Sequence, residues 1–448
     1  MRPNRTRNAI KWSLKSAIAF LMILASASLA EAQTIQTLCS FNFANGANPY
    51  AALTLGNDGN FYGMTCYGGV TSGSAAGYGT LFTLKTNGVL AIRAYFSGGN
   101  GFTHGANPRG ALTLGNDGNF YGTTCYGGGY SPDFGNGTVF KVTGCAVCPA
   151  LAKFNGNNGA HPMGALTLGN DGNFYGTASA GGLTNSKYSS GMGTVFKVTT
   201  NGTLTMLAAF NYTNGAAPWA ELKLGNDGNF YGTTSDGGNT NFIWPYHGMG
   251  TLFKVTTNGT LNTLVVFNFT NGANPRGALT LGNDGCFYGT TAGGGITNSK
   301  YSTGMGTVFK VTTNGTLTTL GVFNFTNGAA PCAALTLGND GNFYGTTVSG
   351  GSGSYGSGYG YGTVFRLSLS PASPSYNQIS AQLLSGGSVR LSFVGMDGTN
   401  YALDRSFSLM PANWVPLVTN PAGSGGVLVF TNTPDPTTNN FWRIRSVP

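Results

Sequence analysis

Residues 55–63 read Leu-Gly-Asn-Asp-Gly-Asn-Phe-Tyr-Gly, and this phrase occurs six times in the chain with a single substitution, Cys286 for Asn. Successive copies are 59, 54, 56, 57 and 56 residues apart. A period of this size is typical of a tandem array of supersecondary units, each packed on its neighbours. The central aspartates of the six copies are Asp58, Asp117, Asp171, Asp227, Asp284 and Asp340.

Each repeat predicts four short antiparallel strands. Alternating apolar residues and Asn-Asp-Gly or Asn-Gly turns mark hairpins, and no segment has a helical period of useful length. Four-stranded units in tandem predict an all-β protein of the β-propeller type, since the coils of a parallel β-helix are shorter and lack such hairpins. In the repeat at 279–325 the predicted strands are 279–281, 287–291, 306–311 and 316–323.

The order of the strands predicts how the array closes. The third strand and the fourth strand each occur six times, but the first copy of the fourth strand is residues 34–43, ahead of the first complete repeat. The last repeat ends at residue 369 without a fourth strand. We therefore expect residues 33–370 to form a six-bladed ring closed by the N-terminal strand, since closure removes exposed sheet edges.

The repeated phrases resemble a known family. Gly-Asn-Asp-Gly-Asn-Phe-Tyr-Gly and Gly-Thr-Val-Phe-Lys-Val, over residues 34–369, resemble the GloVer (Gloeo/Verruco) tandem-repeat family of exported bacterial proteins. The resemblance implies a secreted repeat protein that often carries a variable C-terminal module. The hairpin is also similar to those of sensor-type and NHL-type propellers and, more loosely, to the Asp box of sialidases, which supports the fold and transfers no activity.

The two ends of the chain differ from the repeats. Residues 1–32 predict a cleaved signal peptide, because a basic start, an uncharged apolar run at 16–30 and Ala-Glu-Ala at 30–32 follow in order. An uncleaved N-terminal anchor is the alternative. We therefore expect a secreted, cell-surface or periplasmic protein with no membrane span in the mature chain. Residues 371–375 predict a linker, and residues 376–448, which lack the repeat, predict a small fibronectin-like β-sandwich.

Charge excludes one class of partner. Only 8% of the residues are charged, and removing residues 1–32 leaves 17 Lys and Arg against 12 acidic residues. These cations are scattered, so we expect no nucleic-acid partner. The seven cysteines do not repeat from unit to unit. Cys145 and Cys148 replace a turn, and a local disulfide or two packed thiols is the expected arrangement. The oligomeric state is left open.

The sequence offers few groups for catalysis. The turn phrase lacks the alternating Asp-x-Asp-x-Asp of a calcium loop, so the six aspartates predict structural turns, with no metal and no cofactor. Besides them, the repeats hold three acidic residues, Asp133, Glu221 and Asp236, in positions that do not predict the carboxylate pair of a glycoside hydrolase. His104, His161 and His247 lie in three different loops. We therefore expect a protein that is not an enzyme.

Binding residues are more plentiful. In a propeller, the connections that vary between these repeats share one face, and they are rich in aromatic residues that stack on sugars or proteins. The alternative is that the aromatic residues only make the loops compact. We expect an exported binding scaffold for polysaccharide or a cell-surface protein, with two rival classes: a carbohydrate-active lyase or hydrolase using Glu221, and a structural adhesin. The candidate ligand-binding residues are Phe242, Trp244, Tyr246, His247, Tyr188, Tyr301, Arg109 and Arg276.

Overall fold

The structure is a computed structural model. Throughout the described residues the regular secondary structure is β-strand. In these segments no helix has the length and apolar character that crossing a membrane requires. The described residues are 37–69, 77–96, 105–129, 135–143, 146–147, 149–238, 248–351, 360–369, 379–383, 388–394, 400–406, 415–421, 427–433 and 441–447.

The repeats form six antiparallel sheets, named here the first to the sixth in chain order. The first sheet contains β1 (Thr54–Leu55), β2 (Phe61–Thr65), β3 (Thr80–Leu84) and β4 (Leu90–Tyr95). The second contains β5 (Thr113–Leu114), β6 (Phe120–Thr124), β7 (Thr138–Thr143), β8 (Ala146–Val147) and β9 (Ala152–Lys153). The third contains β10 (Thr167–Leu168), β11 (Phe174–Ala178), β12 (Thr194–Val198) and β13 (Leu204–Ala209).

The remaining three sheets follow the same order. The fourth contains β14 (Lys223–Leu224), β15 (Phe230–Thr234), β16 (Thr251–Val255) and β17 (Leu261–Val266). The fifth contains β18 (Thr280–Leu281), β19 (Phe287–Thr291), β20 (Thr307–Val311) and β21 (Leu317–Val322). The sixth contains β22 (Thr336–Leu337), β23 (Phe343–Thr346) and β24 (Val364–Leu367). Apart from β9, which pairs with β7, each strand pairs with the next one along the chain, which is the strand order of a propeller blade.

The invariant glycine of the repeated phrase makes room for an aromatic ring. Gly176 of β11 lies opposite Phe196 of β12. A Cβ on Gly176 would lie 2.6 Å from the Phe196 ring. The ring therefore occupies the space above the glycine, and any larger residue would displace it from the core.

Neighbouring sheets pack face to face through stacked aromatic rings. Tyr175 of the third sheet stacks on Phe230 of the fourth, with ring centroids 4.1 Å apart. A second contact, between Phe210 and Phe253, joins the same two sheets edge to face at 5.1 Å. A Tyr-to-Phe ring contact, stacked or tilted, recurs at every junction from the first sheet to the sixth. In the second to the fifth repeats the Phe-Tyr pair thus contacts both neighbours, because Phe faces the preceding sheet and Tyr the following one.

The turn aspartates hold the hairpins and also bind the third strand. The Asp227 carboxylate accepts hydrogen bonds from the Asn229 amide nitrogen at 3.1 Å and the Tyr231 hydroxyl at 2.8 Å. Lys254 Nζ lies 2.7 Å from the same carboxylate. The equivalent ion pair occurs in the second to the fifth sheets. Burial alone would raise the pKa of Asp227, but the bonds from Lys254, Asn229 and Tyr231 together hold it well below its usual range.

We expect these aspartates to make the protein acid-sensitive. Their pKa values are lower in the fold than in an unfolded chain, so their stabilisation is present above about pH 4 and is lost as the pH falls towards the lowered pKa. Asp227→Asn keeps the turn geometry and removes the charge. It should cost about 1–2 kcal/mol at pH 7, because a hydrogen-bonded charge is lost. Thermal unfolding between pH 8 and pH 2 should show a smaller acid-induced drop in Tm for the variant.

Asp58→Asn is the matched control. Asp58 makes the same bonds to Asn60 and Tyr62, but Thr83 stands opposite Tyr62, where the fourth sheet has Lys254 opposite Tyr231. Without a lysine partner, Asp58→Asn should cost less than Asp227→Asn at pH 7. Equal losses for the two variants would show that the ion pair contributes nothing.

Closure of the ring by the N-terminal strand stays a prediction. The described part of the expected N-terminal strand, residues 37–43, forms no strand, and residues 34–36 lie outside the described residues. Phe41 nevertheless packs on Phe82 at 5.2 Å, as Phe323 packs on Phe365 at 5.0 Å. The sixth sheet has three strands among the described residues.

The C-terminal region forms two further three-stranded sheets. One has the order β25-β26-β29 and the other β28-β27-β30. Residues of both sheets contribute to one hydrophobic cluster that includes Leu391, Tyr401 and Phe430. The strands are β25 (Ile379–Leu383), β26 (Val389–Val394), β27 (Asn400–Ser406), β28 (Val415–Pro421), β29 (Val427–Asn432) and β30 (Phe441–Val447).

Candidate ligand-binding site

Part of the predicted binding surface lies outside the described residues. This applies to the singular loop at 241–247. The roles predicted for Phe242, Trp244, Tyr246 and His247 therefore stay predictions. Cys145 and Cys148 also lie outside the described residues, and their disulfide stays a prediction too.

Two predicted loop tyrosines have structural contacts. The Tyr188 hydroxyl donates a hydrogen bond to Asp236 Oδ2 at 3.0 Å, and the ring packs beside a core cluster. Burial, followed by the Asp236 charge, raises the pKa of Tyr188 far above its usual value. Tyr301, at the equivalent position, is 8% exposed and belongs to the core of the fifth and sixth sheets. Both side chains hold their loops against the blades, and little of the Tyr301 ring is left for a ligand.

A different set of variable residues lies in the links between sheets. Each link contains a proline followed by a residue of five different types in the six repeats, whereas the residue before the proline is of three types, Asn, His or Ala. We name these residues the post-proline positions. They are Tyr50, Arg109, Met163, Trp219, Arg276 and Cys332.

The backbone of the links is fixed by contacts that repeat. The residue before the proline has a positive φ in every link, 53° at Ala217. The Ala220 carbonyl accepts a hydrogen bond from Thr177 Oγ1 of the preceding sheet at 2.8 Å. Gly164 of the previous link lies so close that a Cβ there would come within 2.6 Å of the Glu221 nitrogen. The main chain is therefore held in place, while the post-proline side chain is free to vary.

Arginine and aromatic residues pair across adjacent links. The Arg109 guanidinium carbon lies 6.0 Å from the centre of the Tyr50 ring, and that of Arg276 lies 5.8 Å from the Trp219 ring. Both distances fit a cation–π contact. The aromatic partners are exposed, Tyr50 at 64% and Trp219 at 41%. Sequence reasoning identified the two arginines but missed Tyr50 and Trp219, which aligning the repeats on their link prolines would have revealed.

The two arginines have no acidic partner among the described residues. Four lysines, by contrast, each pair with a turn aspartate. Two thiols, those of Cys66 and Cys125, lie near Arg109 instead. Burial raises the pKa of Cys125 to about 11 and also raises that of Cys66. Neutral thiols leave the guanidinium charge uncompensated. Arg109 Nε is also buried, with no hydrogen-bond partner in the described part of the chain.

A pocket lies between the third and fourth sheets. Its volume is about 250 Å³, and its lining includes Glu221 and Lys223. Burial raises the pKa of Glu221, and Lys223 acts in the opposite direction. Glu221 is the one carboxylate among the lining residues, which otherwise come from β10, β14 and the residues next to them. The carboxylate pair needed for glycoside hydrolysis is thus not assembled in the described part of this pocket.

The remaining polar residues near the links have structural contacts. His161 Nδ1 lies 3.1 Å from the Cys125 carbonyl oxygen, and the His161 ring packs edge to face on Tyr126 at 5.0 Å. Among the described residues, no group of three or more His, Cys, Asp or Glu side chains is arranged to hold a metal ion.

Comparison with known proteins identifies the family. The profile of the Gloeobacter/Verrucomicrobia repeat matches residues 27–187 and 182–406. The chain therefore belongs to this repeat family, and the resemblance noted in its sequence is confirmed. No curated protein gave a significant match.

Several solved structures show a distant similarity. The β-propeller domain of the Trilobed protease from Pyrococcus furiosus has 10% identity and a TM-score of 0.38, with 86% of this chain and 92% of that chain covered. A gluconolactonase from Xanthomonas campestris has 12% identity and a TM-score of 0.34, covering 59% and 74%. A family 43 arabinoxylan arabinofuranohydrolase from Bacillus subtilis has 15% identity and a TM-score of 0.34, covering 76% and 91%. At these values we draw no conclusion about activity from them.

Proposed function

We propose that this protein is an exported binding scaffold without enzymatic activity, directed at glycans or surface proteins outside the cell. Its repeats form a six-bladed ring completed by residues 34–43, and residues 376–448 form a β-sandwich behind a short linker. The signal-like order of residues 1–32 supports export. The packing of the sheets supports the ring, because each junction joins the Tyr of one sheet to the Phe of the next.

One observation carries the binding role. Exposed Tyr50 and Trp219 and the two uncompensated arginines occupy a position where the other repeats have Met163 or Cys332. The fold does not need an aromatic residue or an arginine there, because the other repeats form the same links without them. Exposed residues that the scaffold does not require are typical of a recognition surface.

A specific observation favours one rival function, that of a carbohydrate-active enzyme. Glu221 lies in a pocket that also contains Lys223, and its pKa is raised, as in many general acids. A polysaccharide lyase or hydrolase would need at least one further catalytic group supplied from elsewhere. The third class, a structural adhesin, predicts ordered self-assembly rather than ligand binding.

A glycan array with the purified protein distinguishes these classes. We expect binding without turnover, and Trp219→Ala should weaken binding about tenfold or more, because stacking on one large ring contributes about 1–3 kcal/mol. Met163→Ala, at the same position of another link, is the matched control and should bind as the unaltered protein does. Trp244→Ala tests the loop at 241–247 in the same assay. Turnover that disappears in Glu221→Gln would instead establish the enzyme.

A further inference from the structure

We propose that the pairs Tyr50–Arg109 and Trp219–Arg276 recognise an acidic polysaccharide, one whose sugars carry carboxylate groups. This inference rests on the proposed binding function and specifies the chemistry of its ligand. Each pair joins the links of two adjacent sheets, the first to the second and the fourth to the fifth. The same pairing of an arginine with an aromatic ring thus occurs twice in one chain.

The charge of the site calls for an anion. Arg109 and Arg276 are not paired with carboxylates in the described residues, whereas Lys141, Lys197, Lys254 and Lys310 each pair with a turn aspartate. Cys66, Cys125 and Cys332 lie near them, and burial raises the pKa of each thiol, so these groups stay neutral at pH 7. A guanidinium presents two parallel donors that match a carboxylate. An incoming carboxylate would therefore supply the missing counter-charge.

The aromatic partners favour a sugar over a peptide. A pyranose ring presents flat C–H faces that stack on Tyr or Trp, and its hydroxyls bond to the surrounding polar groups. The exposed rings of Tyr50 and Trp219 lie beside the cations, so one uronic acid residue can contact both at once. An acidic peptide would instead be recognised by a denser cluster of basic residues. A polysaccharide also offers the same sugar repeatedly, which suits two copies of one recognition pair.

The test uses the full-length mature protein and two polymers that differ only in the carboxylate. Binding to sodium polygalacturonate and to fully methyl-esterified polygalacturonate is measured by calorimetry in low salt and in high salt. We expect binding to the acidic polymer that weakens at least tenfold on esterification and falls with added salt. Arg109→Gln and Arg276→Gln should each weaken it about threefold to tenfold, and the double variant should weaken it further.

Arg93→Gln is the control variant. Arg93 is an arginine of β4 whose Nε donates a hydrogen bond to Thr83 Oγ1 at 2.9 Å, and it belongs to neither pair. It should leave binding unchanged, and circular dichroism should show that all variants fold. Equal binding of the esterified polymer, or full binding by the double arginine variant, would overturn the inference while leaving the scaffold function intact.

Two other outcomes separate this inference from the function on which it rests. Binding of poly-glutamate but no uronic acid polymer would overturn the inference in favour of an acidic protein ligand. Absence of binding to every glycan and every surface protein tested would overturn the proposed function itself.

Discussion

Phe230→Ala should destabilise the protein by about 3–5 kcal/mol, as expected when a fully buried aromatic ring is removed from a packed core. Phe230 is completely buried, and its ring stacks on Tyr175 at 4.1 Å. The same cluster contains residues of the third and fourth sheets, including Phe210 and Phe253. The substitution leaves a cavity at a junction between sheets, where both neighbours lose contacts. Neither sheet can move in to fill it, since each is held by a second aromatic pair.

Urea unfolding followed by tryptophan fluorescence measures this loss, with Val266→Ala as the control. Val266 ends the outer strand of the same fourth sheet and is 41% exposed. Its truncation should cost well under 1 kcal/mol, as is usual for surface positions. A loss below about 1 kcal/mol for Phe230→Ala would show that the stacked rings do not hold neighbouring sheets together.

The sequence predicted the strands of the repeats closely because turns and alternation are local signals. The predicted second strand at 287–291 is observed as Phe287–Thr291, and the predicted third strand at 306–311 as Thr307–Val311. The turn residues determine where each strand begins, since Asp and Asn bond to nearby amides and Gly accepts a positive φ. In the second sheet the fourth strand is split into β8 and β9. There the CxxC sequence replaces the usual Asn-Gly turn.

The candidate site was predicted only in part because it forms between repeats. Arg109 and Tyr50 are 59 residues apart in sequence, and they meet only when two adjacent links pack side by side. The same packing places Trp219 beside Arg276. Residues 241–247 were predicted as a binding site because their sequence differs from that of the other loops. The post-proline position is the most variable one in links that are otherwise similar, and that signal emerges only when all six repeats are aligned.

Deleting residues 34–43 should cost about 3 kcal/mol or more, because the proposed ring would lose its closing strand. The deletion removes Phe41, which packs on Phe82, and burial of one large apolar side chain contributes about 1.5–3 kcal/mol. It also leaves an unpaired edge on β24 (Val364–Leu367) of the sixth sheet, which promotes aggregation. Val364 is 79% exposed among the described residues, whereas Val308, its equivalent in the fifth sheet, is 4% exposed. Ring closure would cover this side chain.

A disulfide test decides whether the N-terminal strand closes its own ring. In the fifth sheet Val308 pairs with Gly321, and the same register in the sixth sheet would place Val364 opposite Cys39. In the Val364→Cys variant, Cys39 should therefore form a disulfide with the introduced cysteine of the same chain on mild oxidation, because paired strands bring Cα atoms within bonding range. Peptide mass spectrometry detects the bond. Leu367→Cys, three residues further along β24, is the control, and its introduced cysteine should not bond to Cys39.

The other outcomes of the oxidation separate closure from exchange. In the Val364→Cys variant, a disulfide that joins Cys39 of one chain to the introduced cysteine of another would mean that the strand is exchanged with a second copy, because the same paired register would then form between molecules. No such bond, together with full stability of the 34–43 deletion, would mean that the ring is not closed by this strand. The exposed edge of β24 would then need another cover, since an unpaired strand edge promotes association.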